Sequence, residues 1–162
     1  MYHLRPIQTS DNPQLGHIIR EVSKEFGLAA ESGFAVADAA VDDLYSVYSQ
    51  ANAHYWVIEN QDGQIFGGGG ISPLKGADGI LELQKMYFLE EIRGYGFAKQ
   101  IIEHCISFAK SNGFSSIYLE TTEHLWQAVK LYEKLGFKHL ECPKGDTGHS
   151  HACEIRMEKT EK

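Results

Sequence analysis

The residues from Arg93 to Lys99 join a strand pattern to a helix pattern and are of a type that could bind phosphate. Gly94 and Gly96 leave backbone N–H groups accessible, and the first N–H groups of a helix have no partner inside the helix. The helix dipole adds partial positive charge at the same end. Arg93 adds a permanent cation, and Lys99 is a candidate for a second one. The segment is therefore suited to a pyrophosphate.

Two common nucleotide-binding motifs do not fit this segment. A Walker loop requires GxxxxGK followed by Ser or Thr, and that pattern is absent. The dinucleotide fingerprint GxGxxG belongs near the first strand, whereas GYGFAK lies late in the chain. What remains is the pattern Arg-x-x-Gly-x-Ala after a long strand.

This pattern resembles the acyl-CoA loop of the GNAT superfamily of N-acetyltransferases, (Gln/Arg)-x-x-Gly-x-(Gly/Ala). The preceding ELQKMYFLEE resembles the central strand of that family. Further along, AVKLYEKLGF resembles the family's helix end Ala-x-x-(Phe/Leu)-Tyr-x-(Lys)-x-Gly-Phe. The loop motif alone has little specificity, but the two motifs at this spacing, in a matching order of elements, are specific.

The resemblance implies an enzyme with acetyl-CoA as co-substrate and no metal. It would transfer the acetyl group to a primary amine by direct attack, without a covalent enzyme intermediate. In the family, the loop binds the pyrophosphate of coenzyme A, and the exposed edge of the central strand pairs with the pantetheine arm. The cofactor-binding residues implied here are Met86, Tyr87 and Phe88 on the strand, and Arg93, Gly94, Tyr95, Gly96, Phe97, Ala98 and Lys99 in the loop.

Tyr132 matches the family tyrosine that protonates the departing thiolate. A phenol with a pKa of about 10 is still protonated at neutral pH, and the thiol it would help to form has a pKa of about 8.5. The alternative is a core aromatic residue, because Tyr132 shares a predicted helix face with Leu125, Ala128, Val129 and Leu135. Both interpretations predict that Tyr132 points inward.

Glu82 is the residue that best matches a general base. In some family members, a glutamate on the central strand removes the amine proton, directly or through water. The alternative for Glu82 is an exposed strand charge that alternates with Leu81 and Leu83. Glu120, at the end of the next predicted strand, is the rival candidate.

The turn before the last helix departs from the family pattern. Many members have an asparagine there that contacts pantetheine, whereas this chain has TTEHLWQA. Thr121, Thr122 and His124 are the candidate substitutes, and the pantetheine contacts at this point are open.

His149, His151 and Cys153 alternate along HSHACEIRME. We predict that this segment is the last strand and that FKHLECP forms the strand before it. Three such side chains on one strand face could suggest a metal. Structural zinc usually needs four ligands with closer loop spacing. We therefore interpret them as a polar strand face.

The predicted elements run in the order strand, two helices, three strands, helix, strand, helix, two strands. This order indicates one domain over residues 1–162, with an α/β (α+β layered) fold and helices on a mixed, largely antiparallel sheet. We expect Asp11 to cap the first helix, with Gln14 three residues on. We expect a second helix over residues 38–49, and Gly67–Gly70 in a strand packed tightly under a helix.

Composition excludes some classes of function. A net charge of −7 disfavours nucleic-acid binding through bulk electrostatics and weakly favours cationic substrates such as amines. No apolar run could span a bilayer, and the start of the chain lacks a signal-peptide core, so we expect a cytoplasmic protein. The three cysteines are not spaced as a disulfide framework or a CxxC motif, which favours reduced thiols.

Two other interpretations stay open at this point. One is a non-catalytic acyl-CoA-binding sensor or interaction module, which would need the loop but not Tyr132. The other is a structural α/β domain, which leaves the Arg93 junction unexplained. The acceptor could be a small-molecule or peptide amine or a protein lysine, and a homodimer is common in the family.

Overall fold

A mixed sheet of seven strands forms the centre of the fold in the computed structural model, which describes residues 1–28 and 39–160. The strands are β1 (Tyr2–Pro6), β2 (His54–Asn60), β3 (Ile65–Pro73), β4 (Ile80–Phe88), β5 (Ser116–Thr121), β6 (Lys138–His139) and β7 (Ile155–Thr160). The helices are α1 (Asn12–Glu25), α2 (Leu44–Val47), α3 (Phe97–Ser111) and α4 (Trp126–Lys134). Short 3₁₀ turns cover Thr9–Asp11, Ala39–Asp42, Glu90–Ile92 and Glu123–Leu125.

The strand order is β1-β2-β3-β4-β5-β7-β6, and the pairs are antiparallel except β4 with β5. The parallel ladder is short, because β4 pairs with β5 only from Ile80 to Glu82 within the described chain. β4 also contains a bulge, where Lys85 has a φ of 51° and the register against β3 shifts. The second half of β4 therefore has an edge facing β5 that no strand among the described residues covers.

Helices cover both faces of the sheet, as the predicted layered fold requires. On one face, α1 packs Leu15, Ile18, Ile19 and Val22, whose spacing places them on one side of a helix. On the other face, α3 and α4 pack residues such as Ile101, Ile102, Cys105, Val129 and Tyr132. No helix in the described ranges is both long and apolar enough to cross a membrane.

Asp11 occupies the N-cap position of α1 as predicted, but its side chain accepts no capping hydrogen bond from that helix. Its carboxylate instead accepts two 2.8 Å hydrogen bonds from the guanidinium of Arg5 and one of 2.7 Å from the backbone N–H of Gln8. Gln14 accepts a hydrogen bond from the backbone N–H of Ile65 rather than completing a capping box. Charge-assisted bonds to a guanidinium are stronger than a cap, which explains the outcome.

The glycine run lies in β3, which α1 and α3 both contact, and the space at its Cβ positions is filled by the neighbouring strands. A Cβ atom on Gly68 would lie 2.5 Å from Cε1 of Tyr55, and one on Gly70 would lie 2.3 Å from the carbonyl oxygen of His54. The glycines therefore make room in the sheet for the large side chains of β2 and β4.

Two predicted elements differ from the structure. Residue 38 lies outside the described residues, and the predicted helix that follows it is a 3₁₀ turn and the single-turn helix α2. The predicted last strand begins only at Ile155, because residues 149–152 form a turn, and β6 has two residues.

Candidate active site

The glycine loop before α3 leaves open space in front of the helix N-terminus. Gly94 and Gly96 have φ angles of +85° and +84°, which favour glycine, and a Cβ atom on either would meet nothing within 4 Å. Gly96 is the N-cap of α3, whose first N–H groups lack partners inside the helix. A phosphate group could therefore approach these N–H groups closely.

The Arg93 side chain is engaged with other parts of the protein. Its Nη atoms donate two 2.7 Å hydrogen bonds to the carboxylate of Glu25 at the end of α1, and its Nε and Nη2 atoms donate to the carbonyl oxygen of Phe88. It also lies 5.1 Å from the centre of the Phe26 ring. Through these contacts the guanidinium ties the loop to α1 and β4.

An apolar cavity of about 370 Å³ lies beside this loop. It is formed by the loop, the end of β4, the start of α4, Val22 of α1 and Phe26 just after α1. The sequence analysis predicted that the loop and the end of β4 would lie together. Its lining includes Met86, Phe88, Arg93, Gly94, Gly96, Phe97, Ala98, Lys99, His124, Trp126, Tyr132, Val22 and Phe26.

Two predicted cofactor residues have side chains elsewhere. Tyr87 points to the opposite face of the sheet, where it packs in the cluster of α1 and α2, and burial raises its pKa to about 12. Tyr95 is 63% exposed and lies with its ring centre 5.9 Å from that of Tyr2. Neither side chain lines the apolar cavity, so Tyr87 and Tyr95 could contact a ligand there only through their backbone atoms.

A second, more polar cavity of about 220 Å³ lies where β4 and β5 stop pairing. Met86, Leu125 and Tyr132 line both cavities, so the two spaces meet at these side chains. Tyr132 is 6% exposed, as the inward orientation predicted, and burial raises the pKa of its phenol. The phenol therefore stays protonated at neutral pH.

Glu82 lines the polar cavity and is 4% exposed, so the alternative of an exposed strand charge is wrong. Burial raises the pKa of its carboxyl group to about 7, and the nearby charge of Glu120 adds to the effect. The side-chain amide of Gln84 donates a 2.7 Å hydrogen bond to it and opposes part of the shift. A carboxyl group with a pKa near 7 can exchange a proton with a substrate at physiological pH.

Glu120 also lines the polar cavity, although its side chain is 0% exposed. Its carboxylate accepts hydrogen bonds from the hydroxyl groups of Tyr118, Thr147 and Ser150. The sequence analysis singled out none of these three residues. It placed Ser150 in the predicted last strand, and Thr147 lay between the two predicted strands. Gly145 and Gly148, which flank Thr147 and both have positive φ, were the signal for a turn.

Comparisons with known proteins identify the family. The model described as Acetyltransferase (GNAT) family matches residues 19–137. The chain belongs to the GNAT acetyltransferase family. It is 49% identical over 155 residues to an uncharacterized N-acetyltransferase of Escherichia coli (strain K12), YjgM, covering 95% of this chain and 92% of that one. The protein is thus an N-acetyltransferase, which confirms the predicted class of enzyme.

Solved structures confirm the predicted fold. A GNAT-family acetyltransferase from Staphylococcus aureus Mu50 superposes with a TM-score of 0.85 at 18% identity, over 100% of both chains. The PaiA N-acetyltransferase from Thermoplasma acidophilum, solved in complex with coenzyme A, has a TM-score of 0.72 at 19% identity, over 99% of both chains. Coenzyme A therefore binds to a GNAT protein of this fold.

The segment that stands where many GNAT members have the asparagine borders both cavities. His124 and Gln127 line the apolar cavity, whereas Thr121 and Thr122 line the polar one. The Thr122 hydroxyl accepts a hydrogen bond from the backbone N–H of His124 and so caps the 3₁₀ turn Glu123–Leu125. Trp126, which the sequence interpretation did not single out, is 56% exposed beside them.

The three residues that could have suggested a metal do not share a strand face. His149 lies in the turn, with Nε2 3.8 Å from Glu82 and Nδ1 3.4 Å from Glu120. His149 and Cys153 line the polar cavity, and His151 is exposed outside it. Within residues 1–28 and 39–160, no group of three or more His, Cys, Asp or Glu side chains has a metal-binding arrangement.

Proposed function

We propose that this enzyme moves an acetyl group from acetyl-CoA, in the apolar cavity, to a primary amine, in the polar cavity. The observation that carries the proposal is that Tyr132 lines both cavities, with Glu82 in the polar one. A reaction between two substrates needs such a meeting point, with a proton acceptor on the amine side and a proton donor at the thioester.

The apolar cavity fits the parts of acetyl-CoA. The N–H groups from Gly94 to Lys99 would bind the pyrophosphate, with Tyr95, Phe97 and Ala98 contributing their backbone and Arg93 fixing the loop. The uncovered edge of β4, from Met86 through Tyr87 to Phe88, would pair with the pantetheine arm. The coenzyme A complex of the Thermoplasma neighbour supports this assignment by its shared fold.

Glu82 would act as the general base and Tyr132 as the general acid. The amine nitrogen attacks the thioester carbonyl carbon, so that a C–N bond forms and the C–S bond breaks. Glu82 takes the proton that the amine loses, and the phenol of Tyr132 gives its proton to the departing sulfur. A pKa of about 7 suits Glu82 to this role, and the raised pKa of Tyr132 keeps its proton available.

Direct transfer is supported by the state of the cysteine in the polar cavity. Cys153 is 6% exposed, and burial raises the pKa of its thiol to about 12. A thiol with that pKa is neutral at physiological pH and is a poor nucleophile. An acetyl-cysteine intermediate at this position is therefore disfavoured.

The acceptor in this proposal is a small-molecule or peptide amine, since the polar cavity has a volume of about 220 Å³. We place the reaction in the cytoplasm, which the three free cysteines support. A homodimer is compatible with the proposal, since both cavities are lined by residues of one chain.

Tyr132→Phe tests the catalytic role. We expect kcat to fall by about 100-fold or more, with the Kd of acetyl-CoA within about threefold of wild type, because the phenol acts in the transition state. Release of the coenzyme A thiol is measured with putrescine, tyramine, glycinamide and L-lysine as acceptors. Unchanged kcat in the variant would remove Tyr132 from the mechanism. Wild type that binds acetyl-CoA and acetylates none of these amines would favour the non-catalytic sensor.

Gly96→Glu tests the location of acetyl-CoA. A saturating ligand at about 100 times Kd stabilises wild type by roughly 2.7 kcal/mol, or on the order of 5–10 °C in Tm. We expect no such shift in Gly96→Glu, since the new carboxylate occupies and charges the loop. Gly63→Glu is the matched control, because Gly63 also has a positive φ of +79° with nothing within 4 Å of a Cβ atom. An equal acetyl-CoA shift in both variants would move the cofactor away from the loop.

A further inference from the structure

Glu120 is a buried carboxylate whose oxygens already have partners. Its Oε2 accepts from the Tyr118 hydroxyl at 2.5 Å and from the Ser150 hydroxyl at 2.7 Å, and its Oε1 accepts from the Thr147 hydroxyl at 2.5 Å. Nδ1 of His149 lies 3.4 Å from the same Oε1 atom. A carboxylate offers about four acceptor sites, so little capacity is left for a substrate.

These partners connect two parts of the chain that are distant in sequence. Tyr118 lies on β5 with Glu120, whereas Thr147 and Ser150 flank His149 in the turn before β7. The Thr147 hydroxyl also accepts from the backbone N–H of His149, at 3.3 Å. The carboxylate therefore holds both sides of the turn that places His149 between Glu120 and Glu82.

We propose that Glu120 is a positioning residue for acetyl transfer. It holds the Thr147–Ser150 turn, which forms a wall of the amine cavity, and so keeps His149 in place beside Glu82. This inference rests on the proposed function, because it assumes that the polar cavity takes the amine. It also decides between the two candidate bases. Glu82 is the base in this proposal. Glu120 also lines the polar cavity, but its side chain is 0% exposed and three hydroxyl groups donate to its oxygens, so it acts through the turn and through its charge.

The charge of Glu120 adds a consequence that a purely structural anchor would not have. Among the groups near Glu82, the charge of Glu120 raises its pKa, whereas Lys85 and the hydrogen bond from Gln84 lower it. Removal of the Glu120 charge should therefore lower the pKa of Glu82 from about 7. The other titratable groups that face Glu82 are Tyr118 on β5, His149 in the turn and Cys153 after it.

Glu120→Gln is the direct test, with the acceptor that has the highest kcat/KM among putrescine, tyramine, glycinamide and L-lysine. We expect the KM of the amine to rise about tenfold or more, since one buried charged partner of the turn is lost, while the KM of acetyl-CoA stays within about twofold. The acidic limb of kcat/KM should move to lower pH. Titration of Glu82 by ¹³C NMR reports the same pKa without an acceptor, and hydrogen exchange at residues 147–150 should become faster.

Two further variants keep the test decisive. Thr147→Val removes one hydroxyl and no charge, so it should raise the KM of the amine without moving the acidic limb, even if Glu120→Gln folds poorly. Ser116→Ala is the matched control, because the Ser116 hydroxyl also donates to a glutamate, Glu158 at 2.5 Å, but lies at the other end of β5 outside both cavities. It should leave both KM values unchanged.

The outcomes separate this inference from the proposed function. Folded Glu120→Gln with unchanged amine KM and an unmoved Glu82 titration would overturn the positioning role. A complete loss of the acidic limb in Glu120→Gln, with Glu82 still titrating near 7, would make Glu120 the base. Wild type that neither binds acetyl-CoA nor acetylates the amines would instead refute the proposed function.

Discussion

Asp11 and Glu82 are both buried carboxylates, and their surroundings differ. Asp11 is 2% exposed and accepts two hydrogen bonds of 2.8 Å from the guanidinium of Arg5, which raises the pKa of the arginine. Glu82 is 4% exposed and accepts a hydrogen bond from the neutral amide of Gln84, with His149 3.8 Å away. One carboxylate is neutralised by a bidentate cation, and the other lies next to a cavity that a substrate could enter.

The difference shows how burial can serve either structure or chemistry. Burying a charge is costly unless a cation and hydrogen bonds compensate for it. At Asp11 the compensation comes from Arg5, and the result is a fixed corner between β1 and α1. At Glu82 the desolvation is compensated less completely, so the carboxyl group keeps its proton up to about pH 7. A carboxyl group that gains and loses its proton near neutral pH is suited to act as a general base.

Glu82→Gln should produce the largest effect on activity. We expect kcat/KM for the amine to fall by about 10²–10⁴-fold, because the amide cannot accept the amine proton. In wild type, kcat/KM should decrease as the pH falls through about 7, and the variant should lack this limb. Thiol release measured between pH 5.5 and 9, at rates per folded enzyme, checks both statements. A variant that retained the limb would assign it to another group.

The same variant should be more stable than wild type at alkaline pH. Folded Glu82 holds its proton up to about pH 7, whereas the unfolded chain releases it near the ordinary value of 4.5. The folded state binds more protons in this interval, so Glu82 makes the free energy of unfolding fall as pH rises. Glu82→Gln removes this loss, and we expect a gain on the order of 3 kcal/mol at pH 8 and less than about 1 kcal/mol at pH 5. Chemical denaturation at the two pH values measures it.

Asp11→Asn should show the opposite behaviour, with lower stability and nearly normal chemistry. Asp11→Asn removes one of the two carboxylates that pair with Arg5, and Glu59 stays 2.8 Å away. We therefore expect a loss of about 3 kcal/mol, the lower end of the range for breaking a buried ion pair. For a chain of this length, that corresponds to roughly 6–12 °C in Tm. At a temperature where the variant is folded, kcat and both KM values should stay within about twofold of wild type, because Asp11 lines neither cavity. A loss of kcat in folded protein would mean that the N-terminal corner also shapes the site.

The order of elements could be predicted from the sequence because apolar residues recur at helical or alternating spacing. The two motifs around Gly96 and Tyr132 could also be recognised in the sequence, because each is a local pattern at a helix end. The burial of Glu82 was not readable. Alternation with Leu81 and Leu83 predicted an exposed charge, but β5 and the turn before β7 cover that side, and the turn lies more than sixty residues later in the chain.

The contacts of Arg93 could not be predicted either, because they depend on packing between distant segments. The residue was expected to face a phosphate, yet its partner is Glu25, separated from it by 68 positions. Likewise, Ser150 was assigned to the last strand because HSHACEIRME has an alternating pattern, and Thr147, between the two predicted strands, was not singled out. Local patterns predict elements, whereas the partners of charged side chains follow from how those elements pack.

Glu25→Gln should have the smallest effect. Glu25 resembles Asp11 in having a guanidinium partner, but its side chain is exposed. Its side chain is 43% exposed and that of Arg93 is 27% exposed, so solvent screens the pair, and we expect a loss of less than about 1 kcal/mol. Arg93 lowers the pKa of Glu25, so this contribution is present above the ordinary pKa and is lost as pH falls through the lowered value. If Arg93 is structural, the Kd of acetyl-CoA, measured by calorimetry, should change by less than about threefold. A clearly tighter Kd in Glu25→Gln would instead mean that the released guanidinium turns to the pyrophosphate, and it would restore the phosphate-binding role that the sequence predicted for Arg93.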